Sequence, residues 1–155
     1  MRDNKPNPRI LAAASTGGHW EQLMLLRPAL DAFDVHYVTT DPRFAERDGL
    51  ASSHVVADGN RTRPLRIVHT LLDAMRIVRQ VRPDVVITTG ALPGLACIIA
   101  GRAIGARTIW IDSLANAEHL SMSGRLARPF ATVRLTQWEH LANDQQHVEY
   151  FGSLL

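Results

Sequence analysis

The chain has 155 residues, enough for one domain and too few for two ordinary ones. With 46% hydrophobic and 21% charged residues it has globular composition, which excludes disorder. One cysteine, Cys97, excludes an internal disulfide framework and a cysteine metal cage and fits a reducing interior, and a formal charge of +2 is too small to argue for nucleic acid.

Residues 1–8 are polar, with no apolar stretch of signal-peptide type, and are expected to be a tail preceding a domain over 9–155. Residues 10–15 form a short apolar run that ends in Ser-Thr-Gly-Gly, a first strand. A helical pattern over 19–33 follows, with Leu23, Leu26 and Leu30 at helical spacing and Pro28 as a kink. Residues 35–39 read as a second strand closed by Asp41-Pro42, and 54–57 as a short third. From 64 to 81 the set Val68, Leu71, Leu72, Met75 and Val78 defines the apolar face of a long helix, with Pro64 in its first turn and Arg82-Pro83 ending it.

Residues 84–88 are a Val/Ile strand, and 92–104 a helix apolar nearly all round, hence buried. Residues 108–111 and 133–136 are two more strands, and a short helix starts near Ser123. The apolar stretch over 85–101 is broken by Thr88, Thr89, Gly90, Pro93 and Gly94, and a membrane span needs roughly 20 apolar residues, so it reads as core. Strands separated by helices of about 12 residues or more imply right-handed crossovers and a parallel sheet. The fold expected is α/β, a Rossmann-like three-layer domain.

Ligands of such sheets bind at the carboxyl ends of the strands. The first strand exits through Ser15-Thr16-Gly17-Gly18-His19, where glycines allow close backbone approach and a helix start favours an anion. The same residues also suit a tight turn with His19 at the surface. No glycine stands three residues beyond Gly18, and no Gly-Lys-Ser/Thr loop exists, so nicotinamide and ATP sites are disfavoured despite Asp41. The later exits carry Gly90, then Asp112 to Asn116 with Ser121, Ser123 and Gly124, then Gln137-Trp138-Glu139: groups able to bind sugar or phosphate, or to cap and pack. The histidines lack zinc-ligand spacing, so no metal is expected.

Charge is uneven. Arg61, Arg63, Arg66, Arg76, Arg79 and Arg82 face only Asp73 among acids in that stretch, and Arg125, Arg128 and Arg134 follow later. Codon bias explains an arginine-rich chain; so does affinity for phosphates and anionic headgroups.

Four segments taken together resemble one family: Ala14-Ser-Thr-Gly-Gly-His-Trp-Glu-Gln-Leu23; Asn60-Arg61 with Pro64; Thr88-Thr-Gly-Ala91; and Ile111-Asp-Ser-Leu-Ala-Asn116 with Leu120-Ser-Met-Ser-Gly-Arg-Leu126 and Thr136-Gln-Trp-Glu139. They are similar to the Alg-fourteen-like oligosaccharide biosynthesis proteins and their bacterial exopolysaccharide counterparts, over 9–155. The resemblance implies a domain like the N-terminal half of a GT-B glycosyltransferase, similar to the enzyme that adds N-acetylglucosamine to the peptidoglycan lipid precursor. It implies a membrane-peripheral subunit on the cytoplasmic face, inactive alone, that receives a polyprenyl-pyrophosphate-linked sugar. A separate glycosyltransferase chain would bind the UDP-sugar donor, with no resident cofactor.

Carried over residue by residue, Gly17 and Gly18 match the turn near the acceptor pyrophosphate and His19 a candidate base or phosphate ligand. Asn60 and Arg61 match an Asn-Arg pair, Gly90 the second glycine turn, and Ser121, Ser123, Gly124, Gln137 and Trp138 the late motif. Asp112 stands where many relatives carry glutamate, and Asn116 lies near the place of an arginine. The Arg61–Arg82 excess suits an anionic membrane surface. Gly152 followed by Leu154-Leu155 suggests a strand or docking tail near an interdomain junction. Two rival readings remain: a non-catalytic scaffold that recruits and activates a partner transferase, and a free-standing nucleotide-sugar-binding enzyme such as an epimerase.

Overall fold

A computed structural model describes residues 7–59 and 62–155. In chain order its strands and helices are β1 (Arg9–Ala13), α1 (Gly18–Leu25), α2 (Arg27–Leu30), β2 (Asp34–Thr39), α3 (Pro42–Arg47) and β3 (Ser53–Val55). Then come α4 (Pro64–Val81), β4 (Val85–Thr88), α5 (Ala91–Ala103), β5 (Arg107–Ile111), α6 (Met122–Leu126), β6 (Val133–Thr136) and β7 (Glu149–Tyr150). All strand pairs are parallel, in the order β3-β2-β1-β4-β5-β6-β7. This is the α/β, Rossmann-like sheet expected from the sequence. The chain moves outward from β1 to β3, then returns beside β1 as β4. That reversal opens a crevice at the carboxyl ends of β1 and β4, where such folds bind ligands.

Helices cover both faces, so the central strands are apolar on both sides. Leu11 and Ala13 pack with Ala74, Ile77 and Val78 of α4 and with Leu95, Cys97 and Ile98 of α5. Ile10 and Ala12 pack on the other face with Trp20, Leu23, Leu30 and Ala45 from α1, α2 and α3. Helix α5 lies close on β4 because Gly94 and Gly101 face it: a Cβ at Gly101 would stand 2.5 Å from Val86 Cγ2. Burial pushes the Cys97 thiol up to about 12, so it is an inert core group at neutral pH.

The helix expected over 19–33 is two helices. It breaks at Leu26, and Pro28 sits in the first turn of α2, where a missing amide hydrogen is harmless. Helix α3 was not foreseen, although Asp41 accepts from Arg43 N at 3.0 Å as its N-cap and Pro42 opens it. Asp41, weighed above for a nicotinamide site, is therefore a cap, and the Arg43 guanidinium beside it holds its carboxyl below the usual range.

The apolar face assigned to α4 is also corrected. Its buried side chains are Thr70, Ala74, Ile77, Val78 and Val81, with Leu71 and Met75 at the border. Val68 and Leu72 point outward at 51% and 61% exposure, beside Leu65 at 77%. The helix carries two apolar stripes, and periodicity alone does not say which one the sheet takes. Finally, the last strand is Glu149–Tyr150, upstream of the segment suggested by Gly152.

Candidate functional site

The loops that leave β1, β4 and β5 enclose a groove of ≈250 Å³ lined by His19, Ala91, Ser113, Ala115, Asn116, Ser121, Met122 and Ser123. It sits at the carboxyl edge of the sheet. A larger hollow of ≈510 Å³ between Arg79, Arg82, Pro83 and Ile104 lies at the opposite edge, away from the strand exits.

Two turns meet at His19. Gly17 adopts φ +77, a left-handed conformation that side chains rarely take, and turns the chain from β1 into α1. A Cβ at Gly17 or Gly18 would meet nothing within 4 Å, so the space over this backbone is open. The first-turn amides of α1 have no acceptor within the helix, and their partial positive charge faces that space. Opposite, Gly90 takes φ +127 and lies directly under the His19 ring: a Cβ there would be 2.7 Å from His19 Nδ1.

Thr89 clamps His19 from both ends. Its hydroxyl donates to the His19 carbonyl at 2.6 Å, and its own carbonyl lies 2.9 Å from His19 Nδ1. A carbonyl only accepts, so Nδ1 carries a proton, and in the neutral ring the lone pair is on Nε2. The ring is thus held as the tautomer able to accept a proton at Nε2. Gly90→Ala is expected to cost about 1–3 kcal/mol from backbone strain and to push the ring off the Thr89 carbonyl. Thermal unfolding checks the first effect, and loss of the Nδ1–H signal from the imidazole NMR spectrum checks the second.

Behind the groove a second layer holds the 112–125 loop. Asp112, 2% exposed, accepts from Ser121 N at 2.8 Å, Ser121 Oγ at 2.6 Å and Trp110 Nε1 at 3.1 Å. Ser121 in turn caps α6 by accepting from Gly124 N at 2.9 Å. A Cβ on Gly124 would stand 2.8 Å from both Asp112 Oδ1 and Trp110 Nε1, so only glycine packs there without displacement. Trp138 Nε1 donates to Leu114 O at 2.8 Å, and Gln137, 4% exposed, donates to Asp112 O at 3.0 Å.

Of the residues singled out in the sequence, His19, Asn116, Ser121 and Ser123 line the groove, and Gly17, Gly18 and Gly90 form the turns next to His19. Asp112, Gly124, Gln137 and Trp138 lie behind it, engaged with the protein itself. Asn60 and Arg61 lie outside the described residues. Ser113, part of the β5 exit read from the sequence, lines the groove too, while Thr89 and Gln22 lay within the matched segments without an assigned role. Gln22 stands one turn beyond His19 on α1, and its helical offset was the available signal. Among the described residues no three His, Cys, Asp or Glu side chains converge on a metal position, and no helix is long and apolar enough to cross a membrane.

Residues 49–154 match the model of the family described as oligosaccharide biosynthesis protein Alg14 like. UDP-N-acetylglucosamine transferase subunit ALG14 of Eremothecium gossypii is 27% identical over 182 aligned residues, covering 97% of this chain and 81% of that protein. The subunit of the same name from Candida albicans is 26% identical over 165, covering 90% and 75%. Among solved structures, Acinetobacter baumannii MurG superposes with a TM-score of 0.76 at 16% identity, over 94% of this chain and 45% of that one. UDP-N-acetylglucosamine 2-epimerase from Rickettsia bellii gives 0.69 at 14% identity, over 96% and 45%. The chain spans less than half of either structure, and likeness at these identities establishes shared architecture only.

Proposed function

Because this chain belongs to the Alg14-like oligosaccharide biosynthesis family, we propose that it is the acceptor-binding subunit of a two-chain inverting glycosyltransferase. The enzyme would move a sugar from a UDP-sugar to a polyprenyl-pyrophosphate-linked sugar. The observation that carries this reading is a groove lined by His19, its Nδ1 bonded to the Thr89 carbonyl, next to the open glycine turn at the start of α1. In this reading the acceptor pyrophosphate lies over Gly17 and Gly18, drawn by first-turn amides. The acceptor hydroxyl attacks the anomeric carbon as its proton passes to His19 Nε2, and UDP departs from the opposite face with the electron pair. Ser123 offers its hydroxyl to the acceptor sugar, while the Ser121 hydroxyl is held by Asp112 and Gly124 N.

The donor half is assigned to a separate glycosyltransferase chain, a reading supported by the word subunit in the names of both fungal relatives. The 151–155 segment suits contact with it: Phe151 and Leu155 are 78% and 79% exposed while Leu154 packs inward.

Attachment to the cytoplasmic face of the membrane is assigned to α4. Leu65, Val68 and Leu72 form an outward stripe at helical spacing, flanked by exposed Arg63, Arg66 and Arg76. The first half of α4 starts at the same sheet edge as the groove, so a lipid-linked acceptor need not travel far. Each arginine near an anionic leaflet contributes roughly 1 kcal/mol. Arg66→Gln combined with Arg76→Gln is therefore expected to weaken binding to phosphatidylserine-containing vesicles by about 30-fold, measured by co-sedimentation.

Purifying the tagged chain from its native cells is expected to recover a second small Rossmann-like chain in equal amount. The pair, and neither chain alone, should transfer label from UDP-N-acetylglucosamine to a polyprenyl-pyrophosphate-linked sugar. Full turnover by this chain with no partner would contradict the two-chain reading.

A further inference from the structure

Two glutamine side chains join the groove to the outward-facing C-terminal segment. Gln137 Oε1 accepts from Leu154 N at 3.1 Å, while its Nε2 donates to Gln22 Oε1 at 2.7 Å and to Asp112 O at 3.0 Å. Gln22 Oε1 also accepts from Leu114 N at 3.0 Å, and its Nε2 donates to Ser113 Oγ at 2.9 Å. The orientation of each amide is forced by its partners. Backbone N–H groups only donate, so they fix where each Oε1 points, and the Asp112 carbonyl only accepts, so it fixes Nε2 of Gln137. Neither amide can flip without setting like groups against each other at several contacts.

We propose that Gln22 and Gln137 are positioning residues that couple the order of the 153–155 segment to the Ser113–Leu114 wall of the groove. The functional meaning of the coupling rests on the reading above: a partner that docks on Phe151 and Leu155 would tighten Leu154 onto Gln137, and through Gln22 would fix the wall beside His19. An acceptor site left loosely formed until the partner is in place would follow from this chemistry. The physical basis is one satisfied, partly buried polar network centred on the buried Gln137, whose members reinforce one another where water is partly excluded.

The test is amide hydrogen exchange on the full chain, a readout independent of transferase activity. Gln22 bonds to Ser113, Leu114 and Gln137 but not to the C-terminal segment. Gln22→Leu is nonetheless expected to speed exchange at Leu154 N about fivefold or more, the factor that one net hydrogen bond represents. Gln22→Glu keeps both acceptor contacts, and the Ser113 hydroxyl can turn to donate, so both amides should stay near their original rates. Faster exchange at Leu114 alone, with Leu154 unchanged in Gln22→Leu, would overturn the relay and leave Gln22 as a local brace. Should Gln22→Leu fold poorly, deletion of residues 153–155 offers the reciprocal reading: Leu114 exchange should rise, and an unchanged rate overturns the proposal. A relay that passes these tests in a chain that never supports transfer would count against the transferase reading alone.

Discussion

His19→Ala in the proposed two-chain enzyme is expected to lower kcat by about 10²–10⁴-fold, the range that positioned general-base groups supply. The argument starts at Thr89. Its carbonyl accepts a hydrogen bond from Nδ1–H, which leaves Nε2 as the lone-pair nitrogen of the neutral ring in a groove that His19 lines with Ser113, Ser121 and Ser123. Alanine removes that lone pair and one hydrogen bond, a loss of about 1 kcal/mol of stability that leaves a folded subunit. Initial rates of transfer from labelled UDP-N-acetylglucosamine measure the effect. Turnover that survives the change would favour the scaffold reading, in which the groove plays no chemical part. A rise in KM with kcat unchanged would instead make His19 a phosphate ligand.

The largest stability effect is expected at Asp112. Asp112→Ala leaves Ser121 N, Ser121 Oγ and Trp110 Nε1 without their acceptor inside a packed region. Each buried donor left unsatisfied costs about 1–3 kcal/mol, so a total of about 3 kcal/mol or more is expected. For a domain of this size that lowers Tm by about 6–12 °C. The damage should spread to α6, because Ser121 caps that helix only while its own hydroxyl is held by Asp112. Asp112→Glu tests the same packing from the other side: one extra methylene against Gly124 should cost about 1–3 kcal/mol. Thermal and denaturant unfolding check both. A change below about 1 kcal/mol in Asp112→Ala would mean that the carboxylate does not hold the loop.

The features legible in the sequence are those that repeat or that strain the backbone. Alternating apolar runs and helical stripes located the sheet, and Gly17, Gly18 and Gly90 marked the turns at its carboxyl edge. The features that were not legible depend on distant pairing. Gln22 and Gln137 are 115 residues apart in sequence, and nothing local to either announces that one amide faces the other. Asp112 read as an exit residue because a buried acid and a ligand-facing acid look alike until their donors are seen. Val68 and Leu72 entered the core assignment for the same reason: amphipathic spacing marks a face and does not name its neighbour. Strand β7 is two residues at a sheet edge, too short for any period to register.

The claim at the centre of this account is that the chain is the acceptor side of a transferase. Titration calorimetry of the isolated chain with a short-chain, water-soluble prenyl-pyrophosphate-linked sugar, and separately with UDP-N-acetylglucosamine, tests it most directly. The account predicts saturable heat with the pyrophosphate-linked sugar, weaker than with the partner chain present and reduced further in Gly90→Ala, and none with millimolar UDP-N-acetylglucosamine. Binding of the UDP-sugar in this groove, with no binding of the lipid-linked sugar, would contradict it and point to a nucleotide-sugar enzyme.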